Sequence, residues 1–293
     1  MTTPPGTAAR RTAPRMPPPA YFGISAIFHY LGPAMAVLRF ARLDALGVAW
    51  LRIACAAVVF AMWRRPWRLI RRCTPEQRRV LLALGVVLAA MNTTFYLAIA
   101  RLPLTTVGGI EFLGTIVLAA IGVRSPRNGI ALALAVGGVL MLTELRSAGE
   151  PLGFAFAFVN CGLFMLYVVL GHRIANTGAG LSGIDQLGVA MLTAAVVATP
   201  FCLAAAAPAC TRPDLLLAGI GVGICSSVIP YVTDQLAMAR LRRETFALML
   251  SMLPAVATVI GIVVLAQIPT IGELIGIALI AAGVAVHRQV PET

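Results

Sequence analysis

Long apolar runs alternate with short polar stretches along nearly the whole chain, and each run has the ~17 to 25 residues a helix needs to cross a bilayer core. They predict ten spans, near 20–38, 45–63, 79–100, 104–123, 129–144, 152–171, 183–207, 214–238, 244–265 and 271–287. Spans three and four are separated only by a tight turn at Leu102 and Pro103. The first 19 residues are rich in Pro, Thr and Arg and are expected to form a disordered cytoplasmic tail. The apolar run that follows is long enough to span and leads into nine more, so it is read as a retained helix rather than a signal peptide.

The pattern is written twice. YLAIARL at 96–102 returns as QLAMARL at 235–241, each time at the end of a long apolar run. Between the two copies lie five predicted crossings, an odd number, so the copies must face opposite ways. A second match, ALALAVGGVL at 131–140 with GIALIAAGVA at 276–285, is offset by 145 positions. For that match alone, chance similarity between helices rich in Ala, Gly and Leu is an equal explanation. The expected fold is therefore all-α: a polytopic membrane protein with ten transmembrane helices in two inverted five-helix repeats, 20–144 and 152–287, followed by a cytoplasmic tail at 288–293.

Composition agrees. Of 293 residues 59% are hydrophobic and 12% charged, and mean hydropathy is +0.90, against about 25% charged residues in a soluble domain. All 23 basic residues are Arg. With the N-terminus inside, 17 of them fall on the cytoplasmic side, 5 on the other, and Arg52 lies within a span. That asymmetry satisfies the positive-inside rule and places both termini in the cytoplasm. It also explains the net charge of +12 as a set of topology signals and lipid-headgroup contacts, with no nucleic-acid partner expected. The six cysteines show no paired spacing, so free thiols are expected and neither a metal nor a cofactor is implied. The longest connection, 64–78, is too short for a catalytic domain, and the phosphate-loop, zinc-protease and nucleophile-elbow motifs are absent. The chain does not read as an enzyme.

What chemistry remains belongs to polar residues inside the spans. Arg52, Asn92 and Glu111 each lie seven or eight residues from the outer end of their span, roughly 10 to 12 Å below the outer boundary at 1.5 Å per residue. A charge at that depth costs at least ~2.5 to 3.5 kcal/mol, so Arg52 and Glu111 are expected to meet each other or a ligand. One reading is a buried ion pair that only joins helices. The other has Glu111 alternate between a proton and a cationic substrate group, while Arg52 restrains it or receives a carboxylate, an arrangement suited to a zwitterion. His29, beside Tyr30, Gly32 and Pro33, lies in a helix expected to kink along a cavity, either as a packed neutral ring or as a proton relay. Asn160 and Tyr167, seven residues apart and so on one helix face, line the path or pack. Asp234 is expected to pair with Arg240 or reach the interface, and Asp185 to be solvated.

Several phrases carry a family resemblance: Met91-Asn92-Thr93-Thr94-Phe95-Tyr96, Gly109-Ile110-Glu111-Phe112-Leu113-Gly114, Ile229-Pro230-Tyr231, and the run from Thr245 to Pro254. From Tyr21 to Arg288 the chain resembles the EamA family of the drug/metabolite transporter superfamily, and within it the bacterial threonine and homoserine exporters. The resemblance implies two inverted five-helix repeats around a central cavity in the inner membrane, and export of small metabolites. Glu111, Asn92, Arg52, Pro230 and Tyr231 match the family pattern, whereas Thr115, Leu253 and the pair Ala266 and Gln267 depart from it. The expected function is proton-coupled export of an amino acid or a similar zwitterion, and Tyr231 joins the candidate site residues. A broad exporter of drugs or amines and a non-transporting membrane scaffold are the alternatives.

Overall fold

The computed structural model describes residues 17–38, 43–122, 126–144, 150–175, 183–238 and 253–286, and among them every regular element is helical. In chain order these are α1 (Pro18–Val37), α2 (Ala45–Arg64), α3 (Pro66–Arg72), α4 (Pro75–Ile99), α5 (Leu104–Gly122), α6 (Pro126–Glu144), α7 (Pro151–Ala175) and α8 (Gly183–Thr211). Then come α9 (Pro213–Gly223), a π-helical turn (Ile224–Val228), α10 (Ile229–Met238), α11 (Leu253–Leu265) and α12 (Ile271–Val286). Six helical segments, Ala20–Val37, Ala45–Arg64, Pro75–Ile99, Pro151–Gly171, Gly183–Thr211 and Pro213–Asp234, are long and apolar enough to cross a membrane. The two tails beyond 17 and 286, the expected span residues 244–252, and Arg240 lie outside the described residues.

Local chemistry sets the helix ends. Six helices open on a proline, whose missing N–H is no loss at a first turn that has no acceptor for it. Asp44 caps α2 by accepting from the Leu46 N–H at 2.8 Å. Thr74 and Gln77 form a reciprocal capping box on α4, and Thr270 with Glu273 does the same on α12. Arg65 ends α2 in the left-handed region at φ 51°, and Pro66 starts α3 at once. The connection at 64–78, expected only to be too short for a catalytic domain, thus holds a helix of seven residues. Asp185, expected to be solvated, is partly exposed and also accepts from Arg64 Nε at 2.6 Å. The two residues are 121 positions apart, and the packing of α2 against α8 brings them together.

Small residues determine how closely the helices approach. The most extensive contacts join α6 to α12, α2 to α8, α4 to both α7 and α8, and α1 to the α9–α10 segment. A Cβ at Gly138 would lie 2.5 Å from the Gly276 carbonyl oxygen and 2.8 Å from Ile280, and one at Gly283 would lie 2.7 Å from the Ala131 carbonyl oxygen and 3.2 Å from Ala135. Under the 145-residue sequence offset, Gly138 corresponds to Gly283, Ala131 to Gly276 and Ala135 to Ile280. Each glycine therefore meets the counterparts of the residues that the other meets, and α6 and α12 run antiparallel. On the outside, large apolar side chains such as Phe201, Leu217 and Val263 are 77%, 68% and 75% exposed. That surface suits lipid rather than water.

Candidate functional site

Where α1, α2, α4, α5, α7 and α10 converge they line a partly open cavity of about 40 Å³, room for two or three water molecules. Its walls include all seven residues singled out in the sequence: His29, Arg52, Asn92, Glu111, Asn160, Tyr167 and Tyr231. Pro33, Met91, Phe95 and Phe164 complete the lining. Pro33 lies inside α1, and His29 contacts Tyr30 edge to face at 5.3 Å between ring centroids.

Arg52 does not pair with Glu111. Its Nε donates to Ser227 Oγ at 2.7 Å and its Nη2 to the Ser226 carbonyl at 2.8 Å. Chain chemistry in the opposite segment explains this choice. In an α-helix the Ser226 carbonyl would accept from the N–H of residue 230, but that residue is Pro230 and has no N–H. The helix has meanwhile slipped into a π turn, with the Ile229 N–H reaching back to the Ile224 carbonyl. Such turns break the regular ladder and recur at functional sites. The guanidinium supplies the donor that Pro230 lacks, and Ser226 Oγ turns away to donate to the Val222 carbonyl at 2.5 Å. Close approach of α1 encloses the turn, since a Cβ at Gly32 would lie 2.4 Å from Ser226 Cβ. The Tyr96 ring centroid is 5.5 Å from Arg52 Cζ and supports the charge from another side. Two of the five N–H donors of a guanidinium are thereby fixed, and the group still borders the cavity.

Glu111, 7% exposed, reaches the cavity from α5. Gly108 and Gly114 flank it three residues away on either side and let α5 approach its neighbours. A Cβ at Gly108 would lie 3.3 Å from the Tyr30 hydroxyl, and one at Gly114 would lie 2.9 Å from Cys161 Sγ on α7. The second contact brings Glu111 beside Asn160. Asn160 is fully buried, and neither its Oδ1 nor its Nδ2 has a hydrogen-bond partner. Asn92 differs, because its Nδ2 donates to the Leu88 carbonyl one turn back at 2.7 Å.

Sequence reasoning missed Ser226, Ser227 and Tyr96. A signal for the first was present: a buried proline in a helix strands the carbonyl four residues before it. All six cysteines are free, with Cys73, Cys161 and Cys202 buried and Cys210 exposed. The arrangement offers an anchored cation and a carboxyl group on the walls of one small cavity, with aromatic and amide groups between them.

Two relatives are similar over most of the chain. The threonine/homoserine exporters RhtA of Salmonella typhimurium strain LT2 and Escherichia coli strain K12 are each 32% identical over 240 residues, which cover 80% of this chain and 79% of theirs. A solved crystal structure shares the fold with a TM-score of 0.60, over 92% of this chain and 98% of its own, at 17% identity. No family model matches the chain.

Proposed function

The chain belongs to the family of RhtA threonine/homoserine exporters within the drug/metabolite transporter superfamily, and from that membership we propose that it exports threonine, homoserine or a closely related amino acid across the bacterial inner membrane. It is a transporter rather than an enzyme, as its relatives are. One observation carries the zwitterion reading: Arg52 and Glu111 border the same cavity without pairing, so each charge is left for a ligand. Arg52 receives the carboxylate. Glu111 holds the ammonium group, and exchange of that group for a proton couples export to the proton gradient.

In this proposal residues 20–144 and 152–287 are inverted five-helix repeats, making ten crossings with both termini in the cytoplasm. Support comes from the reciprocal glycine contacts of α6 and α12, which an axis perpendicular to both helices would generate. Exchanging α1 with α7, α2 with α8, α4 with the α9–α10 segment, α5 with α11 and α6 with α12 carries the main packing pairs onto one another. The pairing of α4 with α7 becomes that of α9–α10 with α1, and α4 with α8 becomes α9–α10 with α2. Substrate lies at the seam, with Arg52 and Glu111 contributed by one half and Asn160, Tyr167 and Tyr231 by the other. Alternating access would admit and release the substrate by movement of the two halves about this seam.

Glu111→Gln tests the coupling. In reconstituted vesicles the variant should fold and lose threonine flux driven by a pH gradient, and flux at the wild-type level would end the proposal. Expressing cells should resist toxic threonine or homoserine. Resistance to hydrophobic amines without flux of any zwitterion would favour the broad exporter instead.

A further inference from the structure

Asn160 is the most unusual polar group in the described structure. It is 0% exposed, both ends of its amide are unpartnered, and it lines the cavity with Arg52 and Glu111. A buried polar group left without a partner costs about 1 to 3 kcal/mol. Apolar or small residues dominate the rest of α7, so its own helix offers no compensation, and the Glu111 carboxyl of α5 is the polar group beside it. Asn92 shows the alternative available to a buried amide, which is to satisfy its nitrogen on its own helix, and Asn160 does not take it.

We infer that Asn160 reads a hydroxyl on the substrate, so that the cavity selects amino acids with a hydroxyl close to the ammonium group. The inference rests on the export reading above. A neutral amide cannot balance the substrate's charges, which Arg52 and Glu111 take. It carries one acceptor and two donors, and a hydroxyl can both donate and accept. Asn160 lies within electrostatic reach of the Glu111 carboxyl, with no well-formed hydrogen bond between them. A ligand whose ammonium meets Glu111 therefore brings its side chain to Asn160, where threonine carries a hydroxyl on the carbon next to the ammonium-bearing one and homoserine carries it one carbon further. A ligand that places a methyl there leaves both ends of the amide unmet, and so binds less well than one that brings a hydroxyl.

Valine is the informative probe, because it carries a methyl where threonine carries its hydroxyl. Wild-type protein in proteoliposomes should favour threonine over valine in kcat/KM by about tenfold or more, since sites built to bond a hydroxyl reject the analogue lacking it. In Asn160→Leu the ratio of threonine to valine should fall at least about fivefold, the smaller end of the effect of one unmet polar group. If Asn160 only positions Glu111, both substrates lose flux together and the ratio stays, which overturns the inference. Equal use of threonine and valine by the wild type overturns it with no variant needed, so poor folding of Asn160→Leu does not shelter it. Absence of flux for every amino acid in the wild type counts instead against export itself.

Discussion

If Arg52 replaces the N–H that Pro230 lacks, then the two residues are energetically coupled, and a double-mutant cycle reads the coupling. Arg52→Met keeps length and apolar bulk but removes the bonds to Ser227 Oγ and the Ser226 carbonyl. Hydrogen bonds to a charged group contribute about 1.5 to 3 kcal/mol each. Relief from burying a guanidinium offsets part of that sum. What remains is the stranded carbonyl, about 1 to 3 kcal/mol. Pro230→Ala gives position 230 an N–H that can reach the Ser226 carbonyl, either directly or once the π turn relaxes to α. Arg52→Met should then cost less in the Pro230→Ala background than in the wild type, by at least about 1 kcal/mol. Chemical unfolding of the purified protein in detergent, followed by circular dichroism for all four proteins, supplies the cycle. Additivity within about 0.5 kcal/mol would refute the account of why Arg52 turns toward the π turn rather than toward Glu111.

Two further predictions concern packing and orientation. Gly138→Ala should destabilise by about 1 to 3 kcal/mol, because its Cβ would lie 2.5 Å from a backbone carbonyl. Gly137→Ala, with nothing within 4 Å, should be neutral or gain up to about 1 kcal/mol of helix propensity, and the same unfolding assay compares them. Cys210 is exposed near the end of α8, on the face assigned to the periplasm. A membrane-impermeant maleimide should label it in intact spheroplasts when it is the only cysteine retained, and labelling only after lysis would reverse the proposed orientation.

The helices were legible because a bilayer demands runs of a fixed length. Expected and described ranges agree to within a few residues wherever both exist, as at 45–63 against Ala45–Arg64. α3 was not legible: PWRLIRR is too short and too basic to stand out from a connection. Depth along a helix could be counted, which put Arg52, Asn92 and Glu111 at one level, and all three line one cavity. Azimuth could not be counted. Arg52 and Glu111 share a depth, yet Arg52 points to a segment 174 residues away that the count did not consider. Ser226 and Ser227 look like ordinary small packing residues until the missing N–H of Pro230 is followed back to its carbonyl. Asp185 meets Arg64 through a tertiary approach of α2 and α8 that no local pattern encodes.

In the proposed repeat arrangement the two halves contribute differently to the site. Under the 139-residue offset Asn92 corresponds to Tyr231, and both face the cavity, whereas the π turn has only regular helix at its counterpart in α4. The irregular segment of one half is thus held by the buried arginine of the other. On the proposed function, a substrate that draws on Arg52 would act on the contact between the halves and so connect binding to their relative position.

The most direct measurement is flux of labelled threonine and homoserine by the wild-type protein in proteoliposomes, with and without a pH gradient. The account predicts saturable movement of both amino acids, accelerated when protons flow in the opposite direction. No movement of any amino acid under either condition, from protein that is folded and inserted, would contradict it.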